Sequence, residues 1–385
     1  MLAVLDAARA WVDDGVSVTL LDAHPYLYYS GMVPEYLGGV YARDEVRIDL
    51  RRLCAQRGID FYEDPATHLD PERRVVTTAS GATHPYDLAA FDIGAQNPGS
   101  QPHTIATKPL FHIEQLEAYL REALATGSPA DLVVVGGGAA GVEVSLNVSA
   151  RFQAAHALDQ LRLTIVERQP TLMSSFPRGL QDYVTRMLVR RNVQLRRSST
   201  VARVTENAVA FADGTALPAG AVLWATGSSG PSLFSNAALP TDSRGFLTVR
   251  STLQSTAYPR LFAAGDCATV EGHATLRKVG VHAIKQGSTL RDNLSTALQA
   301  VSDRAAPGDW PLKSFQPYAV APLILSTGTA RGLWTAGSFW ISGTPLLRLK
   351  HFIDRRWIRA YSSSLQASTL RDFLAADAPL PAAVA

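Results

Sequence analysis

The sequence predicts an α/β fold made of doubly wound βαβ units. Three observations predict it. An amphipathic helix, a turn and a strand ending in an acid open the chain over residues 1–22. A continuous apolar strand runs into a G-x-G-x-x-G turn and then a helix over 132–155. Two later apolar strands end in small-residue turns, Ala225-Thr226-Gly227 and Gly265-Asp266. Strands alternating with helices are the pattern of a parallel sheet covered on both faces.

Composition bounds the rest. A chain of 385 residues exceeds one ordinary core, so two or three domains are expected. With 46% hydrophobic and 18% charged residues, disorder is excluded over most of the length. A formal charge of +2 gives no reason to expect nucleic acid as a partner. Cys54 and Cys267 lie far apart and neither belongs to a C-x-x-C, which excludes a disulfide framework and leaves a redox dithiol unsupported. That usage suits a reducing cytoplasm. Asp6 and Arg9 interrupt any signal-peptide pattern at the start. No run of 18 uncharged apolar residues is present, so no spanning segment is expected.

Along the chain, Leu5, Ala8, Trp11 and Val12 recur at helical spacing, and Asp14-Gly15 stops the helix. Val16, Val18, Leu20 and Leu21 read as a buried strand with Asp22 at its carboxyl end. Short strands are expected at 59–63, 73–78 and 86–93, then an amphipathic helix at 111–125. After a break at 126–131 a new unit starts. It has a strand at 132–135, a glycine loop, a helix at 140–155, a strand at 162–166, a helix at 178–190 and strands near 193–211. A strand at 261–264 precedes a helix at 279–298, and 303–311 reads as a linker. The tail from 313 begins with apolar strands and ends in helical pattern, with 375–385 expected to fray.

The stretch LVVVGGGAAGVEVSLN carries the most chemistry. Leu132–Val135 is the run expected of a strand buried on both faces. Gly136 permits the tight turn, Gly138 lets backbone approach a pyrophosphate, and Gly141 lets helix pack closely on strand. The phosphates would sit over the free N–H groups at the start of the following helix. A lone G-x-G-x-x-G is weak, but this one has the strand before it and the helix after it. The next strand ends in Glu167, 26 residues past Gly141, where roughly 20 is usual. A carboxylate there accepts hydrogen bonds from an adenosine ribose and repels a 2′-phosphate, which favours NADH over NADPH; Arg168 beside it argues the other way. Gly227 and the Gly265-Asp266 pair sit where such folds approach nucleotides. Each alone is commonly a plain turn; in this order after a phosphate loop they are more specific.

On these residues the chain resembles the two-dinucleotide flavoproteins of the pyridine nucleotide-disulfide oxidoreductase fold, with type II NADH dehydrogenases as the nearest branch. It is also similar to the flavoprotein module sometimes fused to selenide, water dikinase. The matching features are the strand ending in Asp22, YYSGMVPEYLGG (28–39), FDIGAQ (91–96), VVVGGGAAGVEV (133–144), LWATGS, LFAAGDCA and KVGVHAIKQGSTLRDNL (278–294). The resemblance implies two Rossmann-like, three-layer ββα domains, the NAD domain inserted into the FAD domain, and a small α+β C-terminal region. The boundaries expected are 1–105 and 244–305 for FAD, 106–243 for NAD(P)H, and 306–385 for an interface or membrane-contact region. The cofactors implied are FAD and NAD(P)H, with NADH favoured. By resemblance Asp22 would hold the FAD adenosine ribose, and Ser30, Gly31 and Met32 would lie along the flavin. Gly265 and Asp266 would meet the ribityl or pyrophosphate part. Lys278, Gly280 and the start of the 279–298 helix would face the flavin's pyrimidine edge. Gly136, Gly138, Gly141 and Gly227 would meet NADH, with Glu143 near the nicotinamide ribose and Glu167 on the adenosine ribose.

The chain departs from the pattern in having no cysteine pair beside the flavin. Cys267 reads as buried packing. The acceptor is then most simply a quinone or another small diffusible oxidant. In the dehydrogenase branch an Ala-x-x-Gln lines the quinone tunnel, and Ala283 and Gln286 fit that spacing; the bland alternative for Gln286 is a helix residue bonded to a loop. The scattered histidines have no metal-ligand spacing, so no metal is expected.

Residues 346–359 place Leu346, Leu349, Ile353 and Trp357 on one helical stripe, with Arg348, Arg355 and Arg359 facing away. That suits an interfacial helix in peripheral contact with the inner face of the cell membrane. The reading favoured over it is a terminal helix packed on the FAD domain or across a homodimer, with Lys350 and Asp354 as an i,i+4 pair.

The function expected is hydride transfer from NADH to FAD and onward electron transfer to a quinone-like acceptor. Two alternatives stand beside it: a soluble NAD(P)H-dependent reductase of a protein partner such as ferredoxin, and a flavin-free nucleotide-binding or redox-sensing module. The third follows from the opening. Counting back from Asp22 by 26 residues, or by the usual ~20, puts the last loop glycine at about position −4 or 2. The first strand and FAD phosphate loop are therefore expected upstream of residue 1, encoded by in-frame DNA there; otherwise the product is truncated and flavin-poor. Losing a central strand leaves buried backbone groups unpaired.

Overall fold

The computed structural model describes residues 1–361, so the expectation for 375–385 lies outside the described residues. The chain divides into two compact units. The first holds 1–27, 49–96 and 228–319; the second holds 28–48, 97–227 and 320 onward.

In the first unit, Leu2, Leu5 and Ala8 form the buried face of the Leu2–Asp13 helix. That helix packs on the long Gly280–Ser302 helix, where Trp11 Nε1 donates to Ser295 Oγ at 3.2 Å. The turn at Gly15 needs its positive φ of 89°. The strand that follows is Thr19–Asp22, parallel to Asp60–Glu63. The expectation of a buried strand at 16–21 is corrected: Thr19 is exposed and Leu20, Leu21 and Asp22 are half-buried. The strand pairs with Asp60–Glu63 alone, in a two-stranded sheet separate from the parallel pair Ala89–Phe91 and Leu261–Ala263. An antiparallel meander, Ala66–Asp70, Val75–Thr78 and Thr83–Pro85, completes the early half. Strands Leu247–Val249 and Ala268–Val270 run parallel. The core gathers Phe91, Phe234, Phe262, Leu290, Leu294, Trp310 and Phe315. Phe91 and Phe234 meet edge-on at 5.4 Å. Trp310 ties the expected linker, and Phe315 the start of the tail, into this core.

The second unit is built on a parallel sheet with strand order Gln194–Arg196, Leu161–Val166, Ala130–Val135, Ala221–Trp224, Ile105–Ala106. Leu132, Val134 and Ile165 are fully buried, as the apolar runs require of a sheet covered on both faces. Gly127 closes the Ile113–Thr126 helix in the left-handed conformation and turns the chain into the sheet. The Ala139–Ala154 helix is enclosed almost all round, and its residues Glu143, Ser145, Asn147 and Ser149 are buried. One side of it receives the short Val33–Leu37 helix. The apolar strands expected in the tail are an antiparallel meander, Leu323–Ser326, Gly332–Ala336 and Phe339–Gly343, followed by the Thr344–Arg359 helix. Among the described residues no helix is long and apolar enough to cross a membrane.

Candidate functional site

The glycine loop of the second unit shows why each glycine stands where it does. Gly136 has φ +119°, and a Cβ there would overlap the Ala225 carbonyl. A Cβ on Gly141 would overlap the carbonyl oxygen of Gly136, so the helix can approach the strand only without one. Gly138 differs: a Cβ there meets nothing within 4 Å. Its side of the loop is open where the helix presents its first N–H groups.

Glu167 follows the second strand and is clamped from both oxygens. Gly137 N donates to Oε2 at 2.7 Å and Gln169 N to Oε1 at 2.8 Å. The carboxylate is thereby fixed beside the loop. Gly227 ends the strand on the other side of the loop strand; its carbonyl and that of Thr226 accept from Asn97 Nδ2 at 3.3 and 3.0 Å. A Cβ on Gly227 also meets open space.

Glu143 lies one turn into the loop helix and is enclosed. Its Oε1 accepts from Ser326 N at 2.7 Å. Burial pushes its pKa up to about 8, against the lowering pull of Lys350 and the Ser326 amide. Near it is a buried ionic cluster, of which the sequence suggested only the Lys350–Asp354 pair and not Glu35 or His351. Lys350 donates to Glu35, to Asp354 Oδ2 at 2.7 Å and to the Gly31 carbonyl at 2.6 Å. His351 Nε2 lies 2.5 Å from the other Glu35 oxygen. Burial pushes Glu35 up, but Lys350 and His351 outweigh it and hold the carboxyl below its ordinary range. Burial pulls Lys350 down, and Glu35 and Asp354 outweigh that and hold it well above. For Asp354 burial prevails and its pKa is raised. Tyr29 stacks on Trp357 at 4.2 Å, beside Ser30, which is exposed, and Met32, which is fully buried.

The Thr344–Arg359 helix therefore turns inward on Leu347, Lys350, His351, Asp354 and Ile358. Of the expected apolar stripe, Leu349 and Ile353 are exposed at 44% and 46%, and Leu346 and Trp357 are half-buried. Two details of that expectation are corrected. Lys350–Asp354 is a buried pair, since Glu35 draws the ammonium inward. Arg355 and Arg359 do not face solvent freely: both are half-buried, and Arg355 lies over the Tyr41 ring at 5.4 Å.

In the first unit, Gly265, Asp266, Lys278, Ala283 and Gln286 line one recess. Gly265 has φ +72° and its N–H donates to Gln286 Oε1 at 2.5 Å, so Gln286 holds the turn. The ammonium of Lys278 donates to the Ala268 carbonyl and lies over the Phe246 ring at 4.3 Å; burial lowers its pKa. Gly280 opens the long helix with free space at its Cβ position. Asp22 lies outside this recess, with its Oδ1 accepting from His24 N at 3.0 Å and its pKa raised, mostly by burial. Cys54 and Cys267 are buried, and burial pushes their thiols up to about 11 and about 12.

A parallel sheet with a glycine phosphate loop, and an acid clamped at the end of the neighbouring strand, define a Rossmann-type nucleotide-binding protein. The family model described as pyridine nucleotide-disulphide oxidoreductase matches residues 2–288, and the chain belongs to that family. A "NADH dehydrogenase-like protein" of Mycobacterium tuberculosis is 26% identical over 233 residues, 58% of each chain. The "external alternative NADH-ubiquinone oxidoreductase, mitochondrial" of Yarrowia lipolytica is 23% identical over 300 residues, 66% of this chain and 52% of that one. The chain thus spans between half and three-fifths of these relatives' length. Among solved structures, NDH2 of Plasmodium falciparum in complex with NADH superposes with TM-score 0.75 at 12% identity, covering 91% of this chain and 94% of that one. The sulfide:quinone oxidoreductase of Aquifex aeolicus gives TM-score 0.73 at 15% identity, covering 97% and 91%. At these identities the structural likeness is one of fold.

Proposed function

We propose that this chain is an FAD-dependent NAD(P)H dehydrogenase that passes a hydride from NADH to FAD and electrons on to a quinone-like acceptor. The observation that carries the reading is the open Gly138 position beside the doubly clamped Glu167. The loop N–H groups take the pyrophosphate, and Glu167 takes the ribose hydroxyls and disfavours a 2′-phosphate. We assign residues 106–243 to this NADH domain and 1–105 with 244–305 to FAD; the compact units depart from these bounds in placing 28–48 and 97–105 in the second unit and 228–243 in the first. The recess of the first unit fits part of a flavin nucleotide: Asp266 supplies an acceptor, Lys278 a cation, and the Gly280–Ser302 helix its first-turn amides. Bound FAD would supply the two-electron chemistry.

The acceptor follows from the thiols. With both cysteines buried and protonated at neutral pH, no thiolate is available for disulfide exchange. A small oxidant such as a quinone suits this better. Relatives named as NADH-ubiquinone oxidoreductases support the same acceptor. For a lipid-soluble acceptor, the exposed Phe339, Ile341, Leu349 and Ile353 are apolar side chains suited to a bilayer, with exposed Arg348 and Arg356 near the last two in sequence.

Gly138→Ala tests the loop. The variant is expected to melt with the wild type and bind NADH at least ~tenfold more weakly, since its Cβ fills only the ligand's space. Unchanged NADH affinity would remove this loop from the cofactor site.

A further inference from the structure

The recess of the first unit contains a residue that the motif and the comparisons leave without a task. His282 is the third residue of the Gly280–Ser302 helix and lines the recess with Asp266, Lys278 and Gln286. It is only 4% exposed, and its Nδ1 is buried without a hydrogen-bond partner among the described residues. A buried ring nitrogen left so is costly until something bonds it. Independently, the helix cap, Val279, has no side chain able to satisfy the first-turn amides. Two kinds of unmet hydrogen-bonding capacity therefore converge on one place.

We infer that His282 hydrogen-bonds the electron-rich pyrimidine edge of the bound flavin and thereby raises its midpoint potential. This rests on the FAD reading proposed above. The groups around the ring are Lys285 and Arg277, which with burial lower its pKa, and Tyr318, whose ring centroid lies 6.2 Å away. His273, Asp266 and Lys278 line the same recess. The imidazole is thus neutral at physiological pH, with one N–H to donate and one nitrogen to accept. An N–H donor held next to the edge that gains negative charge on reduction favours the reduced state without spending a proton. A diphosphate oxygen would present the same acceptor chemistry, but its charge does not change on reduction. A bond to it would strengthen FAD binding equally in both redox states and leave the potential unmoved.

The test is equilibrium reduction of the purified, FAD-loaded full chain against reference dyes, with FAD affinity measured beside it. His282→Ala is expected to shift the oxidised-to-reduced ratio at fixed poise by about tenfold toward oxidised, a fall of about 30 mV for the two-electron couple. His282→Gln, which keeps a donor, is expected to restore most of it. If alanine does not fold, His282→Phe takes its place: it fills the ring's volume without a hydrogen bond and must show the shift that glutamine does not. An unchanged potential in a flavin-loaded variant, with or without weaker FAD binding, overturns the role of His282. A wild-type chain that takes up no FAD overturns the dehydrogenase reading itself, and this inference with it.

Discussion

Burial raises the Glu143 carboxyl from its ordinary 4.5 to about 8, with no charged side chain bonded to it directly. A raised pKa means the folded state prefers the proton, so the associated stability is fully present below about 4.5. It declines as pH rises and is gone above about 8. The fall is roughly 3–5 kcal/mol across that window. Glu143→Gln keeps an acceptor for the Ser326 amide and removes the titration, so its denaturant midpoint should stay flat where the wild type declines. Parallel curves would place the titration elsewhere. Gly141→Ala is the counterpart of the loop test: its Cβ overlaps the Gly136 carbonyl, so it should lose stability as well as NADH binding, whereas Gly138→Ala loses binding alone. Of these residues, the glycines were legible because local backbone geometry fixes their spacing, and Glu167 because it is the acid that closes the next apolar strand, at 26 residues past Gly141. The burial of Glu143 was not, because its amide partner lies 183 positions on.

At the scale of the element, the Thr344–Arg359 helix inverts the simple amphipathic rule. Apolar spacing alone finds Leu349 and Ile353, but it cannot find the inward face, which is chosen by Glu35 some 315 residues earlier. Removing the cation leaves two enclosed carboxyl groups, so Lys350→Met should cost about 3–5 kcal/mol, read as a lower melting temperature. An unaltered melt would show that the cluster relaxes or hydrates. The outward face should behave oppositely. Leu349→Glu with Ile353→Glu should change stability by under ~0.5 kcal/mol per site and abolish co-sedimentation with anionic vesicles. Undiminished sedimentation would return this face to protein packing. Regular elements of the second unit were legible at nearly full length, since apolar runs and helical stripes there serve one buried sheet. The Ala66–Asp70 and Thr83–Pro85 strands escaped notice because they are short and largely exposed, with Leu69 the one deeply buried side chain between them.

Across the whole molecule, the second unit carries the clamped acid and the open glycine, and the first carries the recess at the start of the long helix. The family match spans both. The central claim is that this chain holds a flavin that NADH reduces. The measurement that tests it most directly is an anaerobic absorption spectrum of the purified, FAD-supplied protein before and after NADH, followed by a soluble quinone. The predicted result is a yellow protein that NADH bleaches and the quinone recolours. A folded chain that binds NADH while carrying no flavin, or whose bound flavin keeps its colour, would contradict it.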